Sequence, residues 1–315
     1  MHVRIYRLHF HTAVHFGDGA LTTCAKTLRA DTLFSALCSE AVRCSEEETE
    51  SFYRKCADAR IAFSDLLPYI GERLYIPKPL VRIVTEDNGD SVVKKAMKKL
   101  DYIPVGILGD FLNGQADIKS EADRYSSGFG TSFLVTKADM MSGEEATPYN
   151  IEAYSYADKS GLYCAVRYEE DEDIALFDKL LRELSVSGIG GKVSSGYGTF
   201  EILQDDSARE DEEALRKLIM NNTDAGSRYM SLSVALPADD ELDKAIDGAA
   251  YSMIKRGGFI ASYEYADSFK KKRDLFAFAS GSVFVNAFKG DVYDVSGGNG
   301  THPVWRYLKP LFIAV

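Results

Sequence analysis

The stretch that most constrains this chain runs Ser187-Gly188-Ile189-Gly190-Gly191-Lys192-Val193-Ser194-Ser195-Gly196-Tyr197-Gly198-Thr199-Phe200. Five of its fourteen residues are glycine, which frees the backbone for positive φ and lets another segment approach closely. A turn of this composition can aim successive amide N–H groups at an anion. Lys192 adds a mobile cation, Ser194 and Ser195 add hydroxyls, and Tyr197 offers a flat aromatic face. That inventory suits a phosphodiester backbone carrying unstacked bases. Upstream, Ile174, Phe177, Leu180, Leu181 and Leu184 recur at helical spacing and predict a helix over 173–186, with Gly188 as its C-cap. Downstream, 199–203 alternates as a short strand. The order helix, glycine loop, strand is the reverse of the nucleotide-binding folds, which place phosphate on a helix N-terminus after the glycines. Val193 follows Lys192 where a P-loop needs Ser or Thr, and a GxGxxG frame opened at Gly188 ends on Val193. ATP and NAD sites of those kinds are excluded.

The flanking sequence reads as mixed helix and strand. A strand is predicted over 3–10, followed by a loop carrying His15, Gly17, Gly19 and Lys26, with Arg29 at its end. Asp31 is the expected N-cap of a helix burying Leu33, Phe34, Leu37, Cys38, Ala41 and Val42, and Ser45 with Glu48 has capping-box spacing. Strand, loop and helix in this order open a ferredoxin-like domain. Lys94, Lys95, Lys98 and Lys99 suggest a solvated helix face, and periodicity fades between Gly114 and Gly143. Two strands over 149–156 and 162–168 are expected to form a hairpin around Asp158-Lys159-Ser160-Gly161. The acidic run 204–213 is the best linker, and strand-like segments resume after it. Lys270-Lys271-Lys272-Arg273 is the densest basic run of that second half, expected as a solvated turn, with a nucleic-acid contact as the alternative.

At 315 residues the chain is long enough for two ordinary domains. No apolar run approaches the ~18 residues of a membrane span, and Met1-His2-Val3-Arg4 leads straight into a strand, arguing against a signal peptide. The cysteines, Cys24, Cys38, Cys44, Cys56 and Cys164, are odd in number without a C-x-x-C pair, as expected of reduced thiols in a cytoplasmic protein. A net charge of −11 weighs against a free-standing RNA binder, because nucleic-acid affinity rests largely on Lys and Arg at phosphates. Basic residues gathered on one face, and partner subunits supplying further positive field, are both expected.

A helix-to-strand glycine loop of the form GGKxSSGxGxF resembles that of the RAMP superfamily of CRISPR proteins. The resemblance extends to His15-Phe16-Gly17, Ala30-Asp31-Thr32-Leu33-Phe34-Ser35-Ala36-Leu37, Phe63-Ser64-Asp65-Leu66-Leu67-Pro68-Tyr69, Tyr75-Ile76-Pro77-Lys78-Pro79, His302-Pro303-Val304-Trp305-Arg306-Tyr307 and Lys309-Pro310-Leu311-Phe312. This ordered set is similar to the family of fourth subunits of the type III-A effector, the Csm complex, in its 5′-handle-binding group. The resemblance implies an α+β protein of two ferredoxin-like (RRM-like) domains with a Gly-rich loop and an inserted β-hairpin thumb. The domains would span 1–205, with the insertion near 85–148, and 229–315, joined by an acidic linker over 206–228.

The function implied is that of a non-catalytic subunit without cofactor. Such a subunit holds the 5′ handle of the CRISPR RNA and joins the large polymerase-like subunit to the backbone RAMP subunits. It meets target RNA indirectly and touches no membrane. The expected RNA-binding residues are Gly188, Gly190, Gly191, Lys192, Ser194, Ser195, Gly196, Tyr197 and Gly198, with His15, Lys26 and Arg29 beside them. Arg306 and Lys309 are expected to brace the carboxyl-terminal turn. One alternative is a metal-independent CRISPR-RNA processing endoribonuclease in which His15 serves as base and Lys192 stabilises charge. His9 and His11 share a strand face, but no partner for His15 is fixed by sequence. A second alternative is a scaffold that touches protein only. No metal centre is expected, since Asp18, Asp31 and Asp65 stand singly at turn or cap positions.

Overall fold

The computed structural model describes residues 1–83, 91–139, 147–203, 209–221, 228–262, 264–268, 270–298 and 300–315. Its first half contains β1 (His2–Phe10), β2 (Phe16–Asp18), β3 (Ala20–Ala25), α1 (Ala30–Cys44), α2 (Glu46–Ala57), β4 (Ile61–Phe63), β5 (Leu67–Ile70) and β6 (Arg73–Pro77). There follow α3 (Ser91–Lys99), β7 (Tyr102–Pro104), α4 (Leu108–Leu112), α5 (Ile118–Gly128), β8 (Gly130–Asp139), β9 (Thr147–Tyr156), β10 (Ser160–Tyr168), α6 (Asp171–Ser187) and β11 (Phe200–Leu203). The central sheet runs β11-β1-β10-β5-β6-β7, with β4 also paired to β10. Strand β11 is therefore an edge, held to β1 by an antiparallel register from Arg7↔Leu203 to Phe10↔Phe200.

Alternation along β1 divides the two faces of this sheet. Tyr6, Leu8 and Phe10 join the core under α1, α2 and α6, while Val3 and Ile5 pack on the opposite core. Helix α6 forms where its apolar spacing predicts: Ile174, Phe177, Leu180, Leu181 and Leu184 are all buried. Burial of each such side chain is worth about 1.5–3 kcal/mol. Glu170 and Asp173 close a capping box at its start, and Gly188 ends it by donating its N–H to the Leu184 carbonyl at 2.8 Å. Ser45 caps α2 by accepting the Glu48 amide, as its spacing predicts.

Several expectations change at the tertiary level. Strand β9 does not pair with β10; it pairs with β8 over a ladder from Gly130↔Tyr156 to Asp139↔Thr147. Strand β10 lies instead in the central sheet between β1 and β4/β5. Its run Leu162 to Val166 is buried throughout and needs cover on both faces, which a projecting hairpin cannot give. The irregular insertion contains α5, whose Asp117 side chain caps it by accepting the Ser120 amide. In α3 the side chains of Lys95, Lys98 and Lys99 are exposed, as a solvated face requires.

The acidic stretch assigned to a linker is, over Glu210–Met220, helix α7. Leu215 and Ile219 enter the second core. Its acids are used locally: Glu212 pairs with buried Arg7 at 2.9 Å, and Asp211 accepts the Leu74 amide at 2.8 Å. The positions 204–208 and 222–227 fall outside the described residues.

The chain ends with β12 (Tyr229–Ser231), α8 (Leu242–Ile246), β13 (Met253–Arg256), β14 (Leu275–Phe278), β15 (Val283–Phe284), β16 (Asp291–Asp294), β17 (Trp305–Leu308) and β18 (Phe312–Ala314). These strands make a β15-β12-β18 sheet and the ribbons β13-β14 and β16-β17. Among the described residues this region does not repeat the sheet-and-helix pattern of the first half. It is also not set apart: Val234, Tyr307 and Leu308 belong to one large core and Met230, Leu232, Leu311 and Ile313 to the other.

Asp31 joins the two halves. It lies inside the first turn of α1, whose N-cap is Arg29, and not at the cap. Arg256 grips it with Nη2 at 2.8 Å and Nε at 3.0 Å, and Arg306 adds Nη1 at 2.7 Å. Val42, expected in the buried stripe of α1, is 64% exposed. Truncating one member of a buried ion cluster leaves a desolvated charge and costs about 3–5 kcal/mol. Asp31→Ala should therefore lower the unfolding free energy by that amount in a denaturant titration, against under ~1 kcal/mol for truncating the exposed pair partner Arg54.

Candidate nucleic-acid interface

The glycine loop folds back between α6 and β11, and most of its amides are engaged within the protein. Ile189 N–H donates to the Gly198 carbonyl at 3.0 Å, Gly191 to His15 at 2.8 Å and Gly198 to Ala13 at 3.0 Å. Ser195 N–H donates to Lys192 at 2.9 Å and Gly196 to Val193 at 2.9 Å. These amides shape the loop and do not form a free anion nest. Side chains remain as its outward groups: Ser194 and Ser195 are exposed, and Lys192 and Tyr197 are half-buried.

Two glycines are required by close approach. A Cβ on Gly190 (φ +104°) would meet the Phe16 ring at 2.8 Å, and one on Gly198 (φ +79°) would collide with the Ile189 carbonyl. Gly188 and Gly191 pack against Tyr197 and the His15 ring, whereas Gly196 faces open space. Lys192 itself holds a left-handed conformation, φ 63° and ψ 23°, costing roughly 1–2 kcal/mol for a side-chain-bearing residue.

The β8–β9 hairpin lies across this loop. Lys192 Nζ donates to the Tyr149 hydroxyl at 3.1 Å and stands 4.8 Å from the centroid of that ring. In return Lys137 stands 4.6 Å from the centroid of Tyr197. One cation from each element thus rests on an aromatic ring of the other, an attraction of about 0.5–1 kcal/mol per exposed pair. His15 is the buried pivot beneath them. Its Nδ1 is 2.7 Å from the Glu152 carbonyl on β9, and its own carbonyl receives Gly191. Among the described residues His15 therefore fastens the hairpin to the loop from inside the fold and does not present its imidazole on the surface.

Lys26 is exposed, 5.7 Å from the centroid of the Tyr154 ring, and its carbonyl accepts the Tyr156 hydroxyl at 2.8 Å. Arg29 reaches Asp65 at 2.9 Å and Ser280 at 2.7 Å. Burial opposes the charge of Arg29, but the nearby Asp65 carboxylate and Tyr102 outweigh it and hold the pKa above its ordinary value. Asp65 in turn accepts the amides of Ala30 and Val234 at 2.8 and 3.0 Å.

A cleft of about 470 Å³ lies between the glycine loop, the start of α1 and β13. Phe16, Gly190 and Gly191 form one wall, Arg29, Thr32 and Ser35 another, and Ile254, Lys255 and Arg256 of β13 the third. The residues Thr32, Ser35, Lys255 and Arg256 were not anticipated from sequence. Lys255-Arg256 is an ordinary basic pair until the ribbon β13–β14 folds over α1. Lys272, expected in a solvated turn, stands 3.5 Å from Ser35 beside the cleft, and burial, with the nearby Arg306, lowers its pKa. Arg306 braces the junction between halves instead of the carboxyl-terminal turn. Its pKa is lowered by burial, which Asp31 only partly offsets. Lys309 does brace the end of the chain, through the Gly290 carbonyl at 3.2 Å.

An α+β chain with a glycine loop crossed by a hairpin, beside a cleft whose cations Arg29, Lys255 and Arg256 each pair with a carboxylate, is of the class found among CRISPR effector proteins. A family model described as the CRISPR Csm4 C-terminal domain matches residues 224–315. The CRISPR system Cms protein Csm4 of Mycobacterium tuberculosis (strain ATCC 25618 / H37Rv) is 37% identical over 316 residues, covering 100% of this chain and 98% of that protein. The protein of the same name from Streptococcus thermophilus is 30% identical over 320 residues, covering 99% and 98%. The chain belongs to the Csm4 family. Its fold matches a chain of the Csm3-Csm4 subcomplex of the type III-A CRISPR-Cas interference complex with a TM-score of 0.67 at 20% identity, covering 100% and 99%. A chain of the Csm1-Csm4 cassette in complex with pppApA matches with a TM-score of 0.61 at 16% identity, covering 100% and 97%.

The contrasting glycines give a stability test. Gly196→Ala meets no neighbour and should cost about 1–2 kcal/mol for its left-handed backbone alone. Gly198→Ala adds a collision with the Ile189 carbonyl and should cost about 2–5 kcal/mol. Chemical unfolding of the two variants side by side measures the difference.

Proposed function

We propose that this chain is the CRISPR-RNA-binding subunit of a type III-A effector complex, holding the 5′ handle of the RNA against the glycine loop and the adjoining cleft. The observation that carries this reading is that the glycine loop lines one cleft together with α1 and the β13 ribbon, while Lys192, next to the lining residue Gly191, is held by Tyr149 of the β8–β9 hairpin. In this reading the first half acts as a ferredoxin-like RAMP domain and the β8–β9 hairpin as its thumb. Lys192 contacts phosphate, while Ser194 and Ser195 contact phosphate or the 2′-hydroxyl. Tyr197 is braced by Lys137 and lends a face for stacking. Relatives occur in Csm3-Csm4 and Csm1-Csm4 assemblies. By analogy this chain links a large Csm1-type subunit to a Csm3-type backbone subunit, and it meets target RNA only through the assembled complex.

The same geometry favours a non-catalytic role. A general base must reach the 2′-hydroxyl within hydrogen-bond distance, and the His15 ring is buried with Nδ1 already engaged. With a net charge of −11 the chain repels phosphate at long range, so partners complete the binding groove.

Lys192→Ala in the assembled complex should lower the CRISPR RNA recovered per complex while the isolated subunit keeps its melting temperature. Unchanged RNA content would remove the loop from the RNA path. The isolated chain should bind handle RNA weakly, with a shallow log K against log[salt] slope corresponding to two or three phosphates at roughly 0.7 each. The slope should steepen when the Csm1-type and Csm3-type subunits are added. Incubated alone with repeat RNA, it should leave the RNA intact; metal-independent cleavage abolished by His15→Ala would make it a processing nuclease.

A further inference from the structure

His9 lies in β1 and His11 directly follows its last residue, Phe10; the His11 N–H still donates to the Thr199 carbonyl at 3.1 Å, so the extended pairing continues and both imidazoles leave the same side of the chain. The antiparallel register places Glu201 of β11 directly opposite His9. One donor atom from each of the three residues lies within 4.8 Å of the other two. His11 Nε2 and Glu201 Oε2 are 4.0 Å apart, and the two imidazole centroids are 5.8 Å apart with the rings at 84°. The side chains of His11 and Glu201 are each 53% exposed, so no packing holds them in place.

We propose that His9, His11 and Glu201 form a binding site for a divalent first-row transition metal ion of the zinc type. Two imidazole nitrogens and one carboxylate oxygen match the donor preference of Zn²⁺, Co²⁺ and Ni²⁺, whereas Mg²⁺ and Ca²⁺ take oxygen sets. Metal–ligand bonds of about 2.0–2.2 Å require donors roughly 3.3 Å apart in a tetrahedron. The three donors reach that spacing by rotation of half-exposed side chains, without moving the strands. Three protein ligands leave a fourth position open to solvent, for water or a donor brought by a partner.

The location gives the site a consequence. Strand β11 is a four-residue edge strand that begins two residues after Gly198 of the glycine loop. A metal bridging β1 and β11 would clip this edge and hold the exit of the loop. None of the three residues lines the cleft described above, so the site stands or falls independently of RNA binding.

The test is titration of the purified, metal-stripped full chain with Zn²⁺ by calorimetry and with Co²⁺ by visible absorption. One equivalent should bind, with the d–d bands of a nitrogen–oxygen site and without a thiolate-to-cobalt charge-transfer band. Mg²⁺ should give no binding heat. His11→Ala and Glu201→Gln should each weaken Zn²⁺ at least tenfold, while His302→Ala, at a surface histidine bonded to Ser262, should leave the affinity unchanged. Zn²⁺ should slow amide exchange in β11 of the unaltered chain but not of His11→Ala. Circular dichroism of the variants confirms that the fold is retained. Affinity unchanged in both His11→Ala and Glu201→Gln, a thiolate band, or no binding at micromolar Zn²⁺ would overturn the proposal.

Discussion

The buried carboxylate of Asp31 is the interaction on which the rest of the architecture depends. It stands at the first turn of α1, where the positive end of the helix favours an anion, and two guanidiniums from the second half converge on it. Ion clusters of this kind add little net stability compared with well-packed apolar groups. What they supply here is placement. Arg256 comes from β13 and Arg306 from β17, so one carboxylate fixes two separate ribbons over the same helix. The Asp65 carboxylate does similar work a short distance away, joining Arg29, Ala30 and Val234.

The cleft exists because of these two acids. Its walls come from segments more than 200 residues apart in sequence, such as Phe16 and Arg256. Neither half encloses it alone. The glycine loop contributes a wall only because Gly190 lets the Phe16 ring and the His15 carbonyl approach within contact distance. A bulkier residue there would push the N-terminal hairpin away from α6 and open the cleft.

The hairpin and the loop depend on each other in the same sense. Lys192 is strained in its backbone but held in its side chain, and Tyr197 is covered by a lysine from the opposite element. A pair of elements that place each other's charges has less side-chain freedom left to lose, which is the preorganisation the proposed RNA contact draws on. The net negative charge of the chain is compatible with this arrangement, because many acids are spent inside the fold. Asp31, Asp65, Asp173, Asp211 and Glu212 all face protein cations or amides.

Local patterns determined what local physics can determine. The apolar spacing of α6, the Gly188 cap, the Ser45 cap of α2, the alternation of β1 and the glycine loop between helix and strand were all legible in the residues themselves, because each depends on neighbours within a few positions. Tertiary structure decided the rest. The acidic run of α7 looked like a linker because its charges are conspicuous and its two buried anchors, Leu215 and Ile219, are few. The pairing of β9 with β8 rather than β10 turns on which strand needs cover on both faces, and that cover comes from residues far along the chain. Asp31, Arg256 and Arg306 meet across more than 220 positions, and Glu201 meets His9 only through the register of two strands 190 residues apart. A sequence states which donors and charges exist; only the packed chain sets the distances between them, and their chemistry depends on distance.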